Sequence, residues 1–281
     1  GGADVKQKGA FMEKGRILFT DLDGTLLSDD NQISKKNHGA IEDTLKKGSF
    51  VAAATGRPLE SAKAVAKKLG LISRGCYLIA FNGSILYDCF EEKILYEQTI
   101  PIAIVKKMLN EAEKAGIYMQ TYDKTAILAK AHTKELDYYA KRTGMAYRIQ
   151  PDLSESLREE PYKALLIDLE SRKKLEDFQT RNNAWTKEKL NSFFSCKEYL
   201  EYCPVGVDKG AAVLQLCRIL GISPEQAVAV GDESNDISMI KEAGIGVAVK
   251  NAVSAAKEAA DYITQNDNNH DAVAEVIEKF M

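Results

Sequence analysis

The feature that most restricts this chain is a repeated alternation of short apolar runs with helical stretches. Ile17 to Phe19, Phe50 to Ala54 and Tyr77 to Phe81 are apolar and β-prone. The first has no polar alternation, the pattern of a strand covered on both faces. Between these runs, Ser34 is placed to N-cap a helix reaching about Lys47, with Gly48 as its stop. Pro58 opens a second helix, whose Leu59, Ala62, Val65 and Leu69 recur at helical spacing until Gly70. Strand and helix in this order predict a parallel sheet with helices packed on it.

After Asn82-Gly83 the pattern changes. Ser84 to Tyr87 and Lys93 to Ile100 read as a hairpin around residues 88–92, and Pro101 opens an amphipathic helix that ends near Gly116. A hairpin-like stretch from Ile117 to Lys130, a helix from about Thr133 to Gly144, and a strand from Ala164 to Leu169 follow. Then come a Lys-rich helix, with Trp185 as a packing residue, and one last strand from Phe194 to Cys203. Locally paired strands with helices between them describe a separate α+β layer. The first pattern resumes at Asp208, with a helix from Lys209 to Leu220 stopped by Gly221 and a capping-box sequence at Ser223 to Gln226. Strands at Ala227 to Val230, Ile245 to Val249 and Tyr262 to Thr264 and a closing helix from about Asp271 complete it. The expected architecture is α/β: a doubly wound, Rossmann-like parallel sheet formed by residues 12–87 and 203–281, interrupted by an inserted α+β domain at residues 88–202.

The first strand runs directly into Asp21 and Asp23, and Gly24 lets the backbone turn there. Both carboxylates then emerge at the carboxyl end of a strand, where open α/β sheets bind ligands. Two acids one residue apart repel each other. A divalent cation offsets this, and Mg²⁺ takes one or two carboxylates plus phosphate oxygens and water. Alternatively one acid stays ionised and the other protonated, or the segment is only a polar turn. A calcium loop is disfavoured, since its sixth and twelfth positions hold Leu26 and Gln32 instead of Gly and Glu.

Composition narrows the partners. The 281 residues are 45% apolar and 28% charged, as in an ordinary soluble globular protein of one large or two modest domains. A net charge of −3 and a pI near 5.8 give no basic field for nucleic acid or an acidic membrane surface. No apolar run approaches a membrane span of roughly 18 residues. Cys76, Cys89, Cys196, Cys203 and Cys217 lack C-x-x-C spacing, and their odd number suits free thiols in the cytoplasm. His38, His132 and His270 fit no ligand spacing. Residues 1–11 read as an appended remnant before a natural start at Met12.

Along the carboxyl edge of the sheet fall the pair Asp21 and Asp23, the hydroxyl of Thr55, Lys209, and the acids Asp232 and Asp236. Each alone has an ordinary explanation: Thr55 as a helix cap, Lys209 as a solvated helix start, Asp232 and Asp236 as charges favoured by a helix dipole. Together they describe a site for a phosphate and Mg²⁺.

With these residues set out, the chain resembles a haloacid dehalogenase superfamily phosphatase, and more narrowly the Cof-type subfamily with a large α/β cap. D-L-D-G-T at Asp21 to Thr25, Thr55-Gly56-Arg57, Lys209-Gly210 and Gly231-Asp232-x-x-Asn235-Asp236 carry the resemblance in order across the whole core. Asn82-Gly83 before the insertion fits it too, whereas Ala272 stands where relatives often have Gly. The resemblance implies Asp21 as nucleophile, forming an aspartyl-phosphate. It implies Asp23 as acid and base, with the Asp23 backbone carbonyl as a metal ligand. Leu22, Thr55, Gly56 and Lys209 become phosphate holders, and Asp232 completes the carboxylates of a Mg²⁺ site. Asp236 orients a metal-bound water or Lys209, with direct ligation left open, and Asn235 stands beside it.

The implied activity is a Mg²⁺-dependent phosphatase of small phosphorylated metabolites such as sugar phosphates. A phosphomutase on the same scaffold and a non-catalytic phospho-ligand-binding protein are the alternatives. The insertion is expected to act as a lid that excludes water, with Arg57, Asn82, Tyr122 and Lys124 as candidate substrate contacts.

Overall fold

The protein is described by a computed structural model over residues 15–281, so the expected start at Met12 lies outside the described residues. Strands β1 (Ile17–Asp21), β2 (Phe50–Ala54), β3 (Cys76–Ala80), β4 (Ile85–Asp88) and β5 (Lys93–Glu97) come first. The middle of the chain adds β6 (Tyr118–Tyr122), β7 (Ile127–Ala129), β8 (Tyr147–Ile149), β9 (Ala164–Ile167), β10 (Leu190–Cys196) and β11 (Tyr199–Pro204). The last part supplies β12 (Ala227–Gly231), β13 (Ile245–Ala248) and β14 (Tyr262–Ile263).

These strands form two sheets. The first has eight strands in the order β14-β13-β12-β1-β2-β3-β4-β5. From β14 to β3 all pairings are parallel, and β4 and β5 add an antiparallel edge. Every residue of β1 is buried. Leu18 packs in a cluster with Ile41, Ala62 and Val276, whereas Ile17 and Phe19 pack in another with Val213 and Leu216. Helices therefore cover both faces of the sheet, as the non-alternating apolar run requires. Chain direction across the sheet reverses between β1 and β12, so the end of β1 is a topological switch point.

The second sheet has the order β10-β11-β9-β6-β7-β8. Its own core includes Met108, Leu166, Phe178 and Tyr202. Helix starts follow the sequence where polar caps were present: Ser34, Thr133 and Asp208 each accept a backbone N–H from the first turn.

Three expectations change. The sequence places Lys93–Glu97 in an inserted domain starting at residue 88, but β5 pairs with β4 and extends the eight-stranded sheet. The chain leaves that sheet only between Glu97 and the helix Ile102–Ala115. The second boundary shifts too, because β11 keeps Cys203 and Pro204 in the inserted sheet. Finally, the single strand expected from Phe194 to Cys203 is an antiparallel hairpin that turns at Lys197 and Glu198, with Phe194 opposite Leu200.

Candidate active site

The end of β1 delivers Asp21 into a buried acidic cluster. Carboxylate oxygens of Asp21, Asp232 and Asp236 lie within 4.8 Å of one another. Lys209, fully buried at the start of the helix Lys209–Leu220, donates to Asp21 Oδ1 at 2.9 Å and to Asp236 Oδ1 at 2.6 Å. Burial works against its ammonium, yet the charges of Asp21 and Asp236 more than offset this and hold it protonated above the ordinary lysine range.

The two other acids face the opposite balance. Burial, then the charge of Asp236, pushes the Asp21 carboxyl up from 3.8 to about 6, although Lys209 pulls the other way. Burial and the charge of Asp21 raise Asp232 as well. Ionised together, three carboxylates against one ammonium would leave two negative charges at the site. One divalent cation balances that deficit, and the oxygen-only donor set suits Mg²⁺. Asp21 and Asp232 fit as its ligands. Both oxygens of Asp236 are already engaged: Oδ1 accepts from Lys209, and Oδ2 accepts the amides of Asp232 at 2.9 Å and Glu233 at 3.1 Å. Its carboxylate holds the lysine and shapes the loop that carries Asp232.

Gly24 and Thr25 bring the two halves of the chain together. Gly24 adopts φ +77°, and a Cβ there would overlap the Asp232 carboxylate. The Thr25 hydroxyl donates to Asp232 Oδ1 at 2.9 Å. The sequence reading assigned Thr25 no role, although it lies inside the D-L-D-G-T stretch. Leu22 is buried, and its carbonyl accepts the amides of Thr25 and Leu27.

Thr55 is buried beside this cluster, and its hydroxyl accepts the Arg57 amide at 3.0 Å. Arg57, expected to face a leaving group, instead forks onto Asp23, with Nε 2.8 Å from Oδ2 and Nη2 2.5 Å from Oδ1. Burial opposes the guanidinium charge, but the Asp23 carboxylate outweighs it and keeps Arg57 firmly ionised. Asn82 is buried at the same edge. Its Oδ1 accepts from Asn235 Nδ2 at 3.1 Å and its Nδ2 donates to Glu201 at 3.2 Å.

The two remaining candidates separate from the cluster. Tyr122 is not a surface group: it is fully buried, its hydroxyl accepts from Gln120 at 2.7 Å, and its ring meets Phe81 edge-on at 5.7 Å. It closes β6 and packs against Phe81 at the boundary between the two sheets. Lys124 is exposed in the turn after β6 and borders a cavity of about 370 Å³ with Leu59, Phe81, Tyr87 and Tyr162. Sequence reasoning missed Lys163 and Glu201, which touch Gly56 and Asn82 from the inserted sheet. A charged residue inside the otherwise apolar run of β11 was the available signal.

A doubly wound sheet with an inserted α+β layer, and an acid cluster around a buried lysine at its switch point, define a hydrolase of the haloacid dehalogenase type. The model of the haloacid dehalogenase-like hydrolase family matches residues 18–277, and the chain belongs to that family. It is an enzyme of the phosphatase kind. Over 266 residues it is 31% identical to the 5-amino-6-(5-phospho-D-ribitylamino)uracil phosphatase YcsE of Bacillus subtilis (strain 168), covering 93% of this chain and 94% of that one. A crystal structure of a haloacid dehalogenase-like hydrolase from Bacteroides thetaiotaomicron superposes with a TM-score of 0.85 at 30% identity, over 95% of this chain and 100% of the other. A subclass IIB sugar phosphatase shares the fold, with a TM-score of 0.80 at 23% identity over 94% and 98% of the two chains. No helix among the described residues is long and apolar enough to cross a membrane.

Proposed function

We propose that this enzyme is a Mg²⁺-dependent phosphatase that hydrolyses small phosphorylated metabolites, sugar and polyol phosphates foremost, through an aspartyl-phosphate. The observation that carries the reading is the gathering of Asp21, Asp232 and Asp236 around one point, with a buried, protonated Lys209 donating to Asp21 and Asp236. The phosphorylated ribityl compound in the name of the relative YcsE supports a polyol phosphate, and five free cysteines suit a reducing cytoplasm.

Asp21 Oδ1 is held by Lys209, which leaves Oδ2 to attack phosphorus in line as the ester P–O bond breaks. Asp23, oriented by Arg57 and carrying a proton when the ester is bound, gives that proton to the departing alkoxide oxygen. It then takes a proton from the water that attacks phosphorus, so inorganic phosphate leaves and the Asp21 carboxylate is restored. Lys209 and the Thr55 hydroxyl hold the equatorial oxygens as charge builds on them. Mg²⁺, when bound by Asp21, Asp232 and the Asp23 carbonyl, supplies neutralisation of the phosphoryl charge. The inserted domain serves as the lid that excludes bulk water.

The test is a phosphate-release screen over phosphorylated metabolites, with and without Mg²⁺, using Asp21→Asn as the blank. Mg²⁺-dependent release from sugar or polyol phosphates by the wild-type chain alone is expected. Equal release by the blank would overturn the proposal.

A further inference from the structure

The inserted sheet meets the catalytic edge through a buried ion pair that the reaction described above leaves without a role. Lys163 immediately precedes β9, and Glu201 lies on the neighbouring β11 opposite Leu165. Both side chains are 2% exposed, and Nζ lies 2.7 Å from Glu201 Oε1. A buried pair of this kind is tolerated only where its other donors and acceptors are satisfied. Here they are satisfied across the boundary between the sheets. Lys163 Nζ donates to the Gly56 carbonyl at 2.5 Å, and Glu201 Oε2 accepts from Asn82 Nδ2 at 3.2 Å. The Tyr122 ring lies 5.1 Å from the ammonium and adds a cation–π contact.

The turns that receive these bonds are the ones that carry the site. Gly56 stands between Thr55 and Arg57. Phe81 and Asn82 are left-handed, with φ +49° and +59°, a strained conformation for residues other than glycine. Within the eight-stranded sheet's own domain, the turn is held by the Phe81 amide on the Arg57 carbonyl and the Asn82 amide on the Thr55 carbonyl. From the inserted domain come Tyr162, stacked on Phe81 at 5.0 Å, and the carboxylate of Glu201 on Asn82. One apolar cluster runs unbroken through Phe81, Tyr122, Tyr139 and Tyr162. The strained turn thus draws part of its support from the inserted domain, and only while that domain is seated.

We propose that Lys163 and Glu201 are positioning residues. They form a charge-neutral pair, carried by the inserted domain, that docks on the Gly56 carbonyl and the Asn82 amide. Seating of that domain is thereby coupled to the geometry of Thr55, Arg57 and Asn82. The inference rests on the phosphatase reading for its catalytic consequence, but the docking itself does not.

The test uses the full chain with the double substitution Lys163→Met/Glu201→Leu, which removes both charges at similar volume. Such replacements commonly leave stability unchanged or raised, so the thermal midpoint is expected to hold. In the unliganded protein, amide hydrogen exchange at residues 55–57 and 81–83 is expected to speed up by about 10-fold or more. The kcat for the best ester is expected to fall by about 10-fold or more with a smaller change in KM, while Mg²⁺ affinity stays as in the wild type. Unchanged exchange at both turns together with unchanged kcat would overturn the proposal, whatever happens to the melting temperature. Should the double variant not fold, Glu201→Asp, which keeps the charge but is too short to span Lys163 and Asn82 together, is read by the same two measurements. If the wild-type chain released no phosphate from any ester, the phosphatase reading would fall, and the exchange comparison would still decide the docking.

Discussion

Arg57 grips Asp23 with both edges of its guanidinium, Nε on Oδ2 at 2.8 Å and Nη2 on Oδ1 at 2.5 Å. The arginine side chain is 10% exposed and the aspartate 47%, so a buried, permanently charged group sets the orientation of an acid that faces the open side of the site. Arg57→Ala is expected to lower kcat by about 10-fold or more, because the proton donor loses its fixed position. Arg57→Lys should recover only part of this loss, since an ammonium cannot reproduce the fork. Steady-state kinetics of the two variants on one substrate check both statements.

The raised carboxyls would give the proposed Mg²⁺ site a pH dependence. Asp21 titrates near 6 when no cation is present, and Asp232 is shifted in the same direction. Mg²⁺ binding must therefore displace protons, and its affinity should weaken as pH falls through about 6. A carboxyl whose pKa is higher in the folded chain than in the unfolded one destabilises the fold once it ionises. Asp21→Asn should accordingly stabilise the metal-free protein above pH 6, and the gain should shrink between pH 6 and 3.8. Calorimetric Mg²⁺ titrations in two buffers near pH 6, and melting curves of both proteins across this range, measure these effects.

At Gly24 the backbone requirement coincides with the proposed metal site. An alanine would have to adopt φ +77° and would also push its methyl group into the Asp232 carboxylate. Gly24→Ala is expected to cost about 1–3 kcal/mol of stability and to weaken Mg²⁺ binding by about 10-fold or more. A thermal melt and a Mg²⁺ titration of this variant are sufficient.

The hydroxyl of Tyr202 is buried without a hydrogen-bond partner, in the core of the inserted domain against Phe178. Tyr202→Phe removes an unsatisfied polar atom and keeps the ring. Stability should stay level or rise by about 1 kcal/mol, with kcat and KM unchanged, as read by denaturant unfolding and kinetics.

What could be read from the sequence divides along a physical line. The strand at Ile17, the cap at Ser34, the helix starts near Thr133 and Lys209, and the acids of the D-L-D-G and G-D-x-x-N-D stretches are written in neighbouring residues, and each appears in the fold. Lys93–Glu97 misled because a hairpin strand carries no mark of which sheet it will join; pairing of Ile85 with Glu97 settles that. The turn at Lys197 and Glu198 lacks the Gly or Pro that would announce it. Arg57 as the partner of Asp23 and the Lys163 contact to Gly56 join residues 34 and 107 positions apart. Local patterning leaves no trace of such bonds.

The central claim is that Asp21 takes the phosphoryl group beside a cation it shares with Asp232, and acid-quenching the enzyme during turnover of an ester with radiolabelled phosphate tests it most directly. The account predicts label bound to the wild-type chain in the presence of Mg²⁺, released by hydroxylamine, and absent from Asp21→Asn, which should fold but not turn over. Near-normal phosphate release by Asp21→Asn would contradict it.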